Sequence, residues 1–311
     1  MRTILAASEG LPSAYARIGD DVAVVPAGGG KLVVKVDMLV EGTDVPKGMT
    51  YRQAARKAVA MCVSDFAAKG VRPDSFMVSL GLRRGTSSAD VKGLARGFRD
   101  AASEWGVRMV GGDTNESKEL VIDCAMLGFA ERVVERGGAR PGDILVAAGT
   151  FGLPPAGLRI LGERARSSAA FRRRAVKSVL YPNPSLEVGL ALAPRLTSSM
   201  DSSDGLARSI HTLADMSGVG FELDSVPASP GVGAFARAND LDFERMVWAG
   251  GEEYVVVGTL KKRDLAPAAV EVRKAGGTLL AIGRATRSRE VVLRRSGLDK
   301  PIPDEGWTHL G

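Results

Sequence analysis

The sequence predicts an α/β protein of two domains, with mixed sheets flanked by helices, and three observations carry that expectation. A chain of 311 residues exceeds the ~100 to 200 of a usual domain and is long enough to bury two cores. Short apolar runs rich in valine alternate with longer segments whose apolar residues recur at helical spacing, the order of strand-helix-strand crossover units. Finally, Arg136-Gly137-Gly138-Ala139-Arg140-Pro141-Gly142-Asp143 is polar and turn-rich, so the domain boundary is drawn there, giving residues 1–138 and 139–311.

In chain order, Asp20-Asp21-Val22-Ala23-Val24-Val25 and Lys31-Leu32-Val33-Val34-Lys35-Val36-Asp37 flank Pro26-Ala27-Gly28-Gly29-Gly30, the pattern of two strands joined by a glycine turn. Such a hairpin gathers Asp20, Asp21 and Asp37 at one end. Gly30-Lys31 does not open a phosphate loop, because Leu32 stands where Ser or Thr is needed and no helix follows. Thr50-Tyr51-Arg52-Gln53 has capping-box spacing, and Ala54, Ala55, Ala58, Val59, Cys62 and Phe66 continue at helical intervals to Gly70. Asp65 falls in the last turns, where the helix dipole disfavours a carboxylate by up to ~1 kcal/mol unless a cation offsets it.

Phe76 to Leu82 reads as a strand, and Val91, Leu94, Ala95, Phe98, Ala102 and Trp105 mark one face of a second helix. That helix feeds Val107-Arg108-Met109-Val110-Gly111-Gly112-Asp113-Thr114-Asn115, an apolar run that meets two glycines and a carboxylate. The stretch reads as a strand end converted into a binding turn, since glycines let backbone N–H groups approach a ligand closely. Phosphate with a hard cation suits such a place. A tight structural turn is the other reading, and the stretch alone leaves both open.

Leu120 to Gly128 is a further strand, and the second half restarts with Ile144 to Gly149 and a helix beyond Pro155. Tyr181-Pro182-Asn183-Pro184 forces a loop before a helix over Ser185 to Leu192. In Thr197-Ser198-Ser199-Met200-Asp201-Ser202-Ser203-Asp204-Gly205, two aspartates straddle the start of a helix marked by Leu206, Ile210, Leu213 and Met216. One N-cap would explain one of them, not both. Trp248-Ala249-Gly250-Gly251-Glu252-Glu253-Tyr254 repeats the Gly-Gly-acid pattern before the strand beginning at Val255. Thr278 to Ile282 is a late strand, and the chain closes with Gly306-Trp307.

With 45% hydrophobic and 25% charged residues the chain has an ordinary globular composition, and no run approaches ~20 apolar residues, so no membrane span is expected. The first residues are interrupted too soon to form a signal peptide. Cys62 and Cys124 lie inside apolar runs without zinc-site spacing, which fits a reduced, cytoplasmic setting. A net charge of +6 suits an acidic partner. The densest basic run, Arg172-Arg173-Arg174, has no nucleic-acid motif around it and reads as a solvated helix face, so no nucleic-acid partner is expected. His211 and His309 read as structural.

Asp20, Asp21, Asp37, Asp65, Asp113, Asp201 and Asp204 all fall at element ends. Brought together they would repel unless cations neutralised them, and an oxygen-only donor set with almost no histidine points to Mg²⁺ rather than zinc. Periodicity cannot establish that they converge. Taken in order, however, Gly19-Asp20-Asp21, Asp37-Met38-Leu39-Val40-Glu41-Gly42, Ser64-Asp65-Phe66-Ala67-Ala68, Gly111-Gly112-Asp113-Thr114, Met200-Asp201-Ser202-Ser203-Asp204-Gly205-Leu206, Gly250-Gly251-Glu252-Glu253-Tyr254 and Gly306-Trp307 cover nearly the whole chain. This set resembles the thiamine-monophosphate kinase family, within the wider aminoimidazole ribonucleotide synthetase-like superfamily.

The resemblance implies an ATP-binding N-terminal domain, a C-terminal α/β domain completing the site, and a homodimer joined through N-terminal sheets. It implies direct transfer of the ATP γ-phosphoryl group to thiamine monophosphate, with several Mg²⁺ ions and ATP as co-substrate. By the same resemblance, Asp21, Asp37, Asp65, Asp113, Asp201 and Asp204 are metal ligands, with Asp113 and Asp204 at the catalytic positions. Gly112, Asp113, Arg136 and Ser203 are ATP contacts, and Asp44, Glu252 and Trp307 are on the substrate side. A phosphate monoester whose second pKa is near ~6 is already anionic at neutral pH, so no protein base is required. Two departures touch the substrate side: Asp44 stands where the family usually has histidine, and Glu253 where it has aspartate. The competing readings are another ATP-using superfamily member with a different phosphorylated or amide substrate, and a catalytically silent nucleotide- or nucleic-acid-binding dimer. The intact acidic set argues against silence.

Overall fold

The computed structural model describes residues 19–295 and 297–308. The expectations for residues 1–18 and for His309 lie outside the described residues. Two mixed sheets are present, and the chain passes from one to the other after residue 130.

The first half runs β1 (Ala23–Ala27), β2 (Gly30–Val40), the single turn α1 (Glu41–Asp44), α2 (Tyr51–Lys69), β3 (Pro73–Arg83), α3 (Ser88–Trp105), β4 (Arg108–Ser117) and β5 (Val121–Ala130). Its sheet has the order β1-β2-β5-β3-β4, with β3 and β4 parallel and every other pair antiparallel. The expected glycine-turn hairpin is β1 and β2. Alternation along β2 puts Val33, Lys35, Asp37 and Leu39 on the face that α2 covers, and Val36 and Met38 on the other. That other face is apolar and open: Val36 is 56% exposed, Met38 54%, Met77 41% and Phe129 64%.

The second half runs β6 (Ile144–Ala147), α4 (Leu153–Gly162), α5 (Ala169–Leu180), α6 (Leu186–Leu192), β7 (Leu196–Ser202), α7 (Leu206–Ser217), β8 (Gly220–Leu223), α8 (Val232–Ala238), α9 (Phe243–Trp248), β9 (Val255–Leu260), α10 (Leu265–Lys274), β10 (Leu280–Thr286), β11 (Val291–Arg295) and β12 (Leu298–Pro301). The strand order is β12-β11-β8-β10-β6-β9-β7.

The element that joins the two halves is α2. Thr50 Oγ1 accepts from Gln53 N while Gln53 Oε1 accepts from Thr50 N, the expected capping box, and Gly70 ends the helix at φ 67°. Its periodicity suggests one apolar face, but the helix is buried on all sides, because β2 and β5 lie on one flank and α6, β7 and β9 on the other. Alanines make this possible by letting backbones come close: a Cβ on Gly189 of α6 would stand 2.3 Å from Ala67 O. By contrast α3 buries only Leu94, Gly97, Phe98, Ala101 and Trp105, and Val91 is exposed. The Gly111-Gly112 turn is corrected too. β4 runs through both glycines and Asp113, paired with β3 on either side of a register shift at Val110.

Candidate active site

Burial of α2 between two sheets forces its polar side chains to find partners in the interior. Ser64, Asp65 and Lys69 are all buried, as is Lys57 two turns earlier. Asp21, at the foot of the hairpin, and Asp201, in β7, meet Asp65 there, and carboxylate oxygens of the three lie within 4.8 Å of one another.

The three are not equivalent. Asp21 faces Lys69 Nζ at 2.7 Å and is bound by the Arg136 guanidinium, whose Nε donates to Oδ1 at 2.7 Å. Burial alone would raise its pKa, yet Lys69 and Arg136 overcome this and hold the Asp21 carboxyl below its usual range. Asp65 pairs with Lys35 at 2.8 Å, which supplies the cation that its place near the end of α2 calls for. Burial and the neighbouring Asp201, Asp21 and Asp37 nevertheless push it well above the ordinary value, despite Lys35. Asp201 accepts a hydrogen bond from Ser64 Oγ at 2.6 Å, and burial together with Asp21 pushes it up to about 6. Negative charge is therefore undercompensated at Asp65 and Asp201. Two hard-oxygen donors in that condition, with a third beside them, fit a divalent cation such as Mg²⁺.

Asp37 lies on the covered face of β2, 3.9 Å from Lys35 Nζ, and its carboxyl is raised by burial and by Asp44 and Asp204 nearby. Neither aspartate of the 201–204 segment caps α7: the N-cap is Gly205 at φ 120°, with no side-chain bond. Asp204 is instead tied to the chain end, where its carbonyl accepts from Trp307 N at 2.8 Å. Trp307 is 51% exposed, so it is not a packing tryptophan. Ser203 contributes its carbonyl, which accepts from Glu252 N at 2.6 Å. Arg136 also spends its contacts internally, donating to Gly19 O at 2.7 Å and through its backbone to Asp20 Oδ2 at 2.9 Å.

Glu252 sits at φ 66° and Tyr254 at φ 53°, left-handed conformations that L side chains rarely adopt and that recur where a binding loop is over-determined. The Glu252 carboxylate pairs with Lys57 Nζ, which also donates to Asp44 O at 2.7 Å. The Asp44 carboxylate turns away, accepting from Val40 N at 2.7 Å and Thr43 Oγ1 at 2.9 Å. Glu253 is part-buried, its carboxylate accepts from Gly152 N, and desolvation raises it well above the usual carboxylate range.

The structure does not bring Gly112 and Asp113 to this cluster. Asp37 is in register with Cys124, Val78 and Gly112, so Asp113 falls on the opposite, open face. Three strand spacings separate the two, roughly 14 Å, too far for one ion to bind both. Asp113 is exposed, and its Oδ1 accepts from Thr114 N at 2.8 Å. Sequence reasoning missed Lys35, Lys57 and Lys69. The signal was present: Lys57, Ser64, Asp65 and Lys69 recur at helical spacing as a polar stripe through an alanine-rich helix.

Residues 19–130 match the family model described as AIR synthase related protein, N-terminal domain. Over 279 residues the chain is 37% identical to a thiamine-monophosphate kinase of Nitrosopumilus maritimus, covering 90% of this chain and 89% of that one. A thiamine-monophosphate kinase of Pyrococcus horikoshii is 32% identical over 297 residues, 94% of this chain and 91% of the other. A solved structure described as AaThiL complexed with AMPPCP and TMP superimposes with a TM-score of 0.88 at 27% identity, covering 99% of this chain and 96% of that one. This chain belongs to the thiamine-monophosphate kinase family.

Proposed function

We propose that this protein transfers the γ-phosphoryl group of ATP directly to the phosphate of thiamine monophosphate, giving thiamine diphosphate and ADP. The observation that carries this reading is the buried Asp21, Asp65 and Asp201 group, assembled from a hairpin, a helix and a strand of different sheets, in a chain of this family. Its relatives' names and the AMPPCP and TMP complex of AaThiL support the two substrates.

The reaction must bring two polyanions together and needs no base, since the acceptor phosphate is already anionic. Asp65 and Asp201, with Asp37 and Asp204 beside them, would hold Mg²⁺. When bound, Mg²⁺ neutralises phosphate charge and aligns the reacting groups. Lys35 and Lys69 keep the carboxylates gathered by offsetting their repulsion, and Arg136 locks the Asp20-Asp21 turn. Half-exposed Trp307, anchored to Asp204, is offered to the cationic thiazolium ring, a contact worth ~0.5 to 2 kcal/mol. Ser203 completes the nucleotide side.

The open apolar face of the first sheet supports a homodimer. On our reading Asp113 serves as a ligand only across that interface, because it lies on the same face. The division at residues 138 and 139 and a cytoplasmic location complete the proposal; no helix among the described residues is long and apolar enough to cross a membrane.

Incubation with ATP, Mg²⁺ and thiamine monophosphate tests the proposal. Thiamine diphosphate and ADP should form in equal amounts. ATP hydrolysis without thiamine diphosphate, or turnover of another phosphorylated acceptor only, would assign the chain to a different ATP-using reaction of the superfamily.

A further inference from the structure

Two lysines reach into the carboxylate cluster, and they are held very differently. Lys69 is fully buried, and its ammonium meets three acceptors: Asp20 Oδ1 at 2.5 Å, Asp21 Oδ2 at 2.7 Å and the Ser199 carbonyl at 2.7 Å. An ammonium has three protons to donate, so Lys69 is saturated and fixed. Lys35 projects from β2 with its side chain 20% exposed. Its ion-pair partners among the described residues are Asp65 Oδ2 at 2.8 Å and, more distantly, Asp37 Oδ2 at 3.9 Å. Asp65 in turn has no other ion-pair partner among the described residues. The loosely held lysine thus sits on the carboxylate that lies within 4.8 Å of both Asp21 and Asp201, while the saturated one braces the turn behind it.

We infer that Lys35 is a tethered competitor for the metal: its ammonium occupies Asp65 while no divalent ion is bound, keeps the cluster assembled, and leaves Asp65 when an ion takes its place. The inference rests on reading these carboxylates as Mg²⁺ ligands, and not on the identity of the phosphoryl acceptor. A divalent ion and an ammonium in contact with the same carboxylate repel strongly in a low-dielectric interior, so the two occupants exclude one another. A partly exposed side chain on a flexible four-carbon stem can move aside, which the three-bonded Lys69 cannot. Lys35 is therefore a positioning residue with a definite cost. Apparent metal affinity is lowered by the fraction of molecules in which the ammonium has left Asp65, and in exchange the carboxylates fold together without metal.

The test is a calorimetric titration of Mg²⁺ into the protein without nucleotide or acceptor, repeated with Mn²⁺ by electron paramagnetic resonance. Lys35→Met should bind the ion at least ~10-fold more tightly than the wild type at unchanged stoichiometry, whereas Lys35→Arg, which keeps the charge, should bind no more tightly than the wild type. In chelator, Lys35→Met should melt several degrees lower, because Asp65 loses its counter-charge, and saturating Mg²⁺ should close that gap. Should Lys35→Met fold only with Mg²⁺ present, the stranded carboxylates are what the inference expects, and Lys35→Gln supplies the titration with the same direction of change. A Kd unchanged or weaker in both neutral variants would overturn the inference. So would one additional ion bound per chain at unchanged Kd, since Lys35 would then be a permanent substitute for an ion. If wild type and variants alike bind no divalent ion, the metal reading itself falls; if the Kd shifts as expected but thiamine monophosphate is not phosphorylated, the functional reading falls and the role of Lys35 stands.

Discussion

Gly111-Gly112-Asp113 and Gly250-Gly251-Glu252 look alike as letters and are unlike as structures. The first lies in an exposed strand, with extended backbone, its acid facing the open side of a sheet. The second lies in a loop between α9 and β9, with its acid at φ 66° and paired to a fully buried lysine. What differs is the surroundings. β4 has the ladder of β3 to join, whereas Gly250 and Gly251 are pressed against Met246, Pro155 and Ser203. Two glycines before an acid therefore mark a place where backbone comes close to something. They do not say whether that is a neighbouring strand or a ligand.

Substitutions can break this contrast in graded steps. Glu252→Ala should have the largest effect, because it strands the Lys57 ammonium in the interior; a loss of about 3 to 5 kcal/mol is expected, read as a fall of several degrees in Tm, with kinase activity abolished. A Tm within a degree of wild type would remove the buried pair from the account. Asp113→Asn should leave Tm unchanged, since among the described residues its side chain is bonded only to the neighbouring Thr114 N–H in exposed β4. Its turnover should nevertheless fall at least ~10²-fold if a second copy uses it as a metal ligand. Full turnover would make Asp113 a surface residue.

The pH response of the site should come from its buried carboxylates, among them Asp201. Asp201 holds its proton to about 6, against 3.8 for an ordinary aspartate. The folded state thus binds the proton more tightly than the unfolded chain. Stability from this group is greatest below the unfolded value and is lost as pH rises through about 6, by on the order of 3 kcal/mol. Asp201→Asn should flatten that part of a Tm-against-pH curve, and a curve identical to wild type would show that the burial of Asp201 has been misjudged. Because the ion needs the carboxylates ionised, added Mg²⁺ should raise Tm more at pH 8 than at pH 5.

The glycines give the finest distinction. Gly251→Ala and Gly112→Ala both drive a Cβ onto backbone oxygen, at 2.8 and 2.5 Å, and should each cost about 1 to 3 kcal/mol by chemical denaturation. Only Gly251→Ala should also raise KM for thiamine monophosphate. At Gly111 a Cβ meets nothing within 4 Å, so Gly111→Ala should be neutral or stabilise by up to ~1 kcal/mol through the unfolded state. A marked loss there would mean that the face is covered in solution.

Much was legible in the sequence because it is written in local physics. The capping box at Thr50, the left-handed glycine at Gly70, the hairpin of β1 and β2, and the strand-helix-strand order each depend on neighbours within a few residues. Oxygen-only acids at element ends pointed to a hard cation, and ordered motifs pointed to the family. Only the tertiary structure decided which acids meet. Asp21, Asp65 and Asp201 are 44 and 136 residues apart in sequence and converge because α2 is clasped by both sheets. Alternation along the strands sends Asp37 to the covered face and Asp113 to the open one, a choice of register that no single strand reveals. The buried lysines belong to the same category, since burial is a property of what packs against a helix from all sides. A helix's own periodicity reports one face, and α2 is used on every one of them.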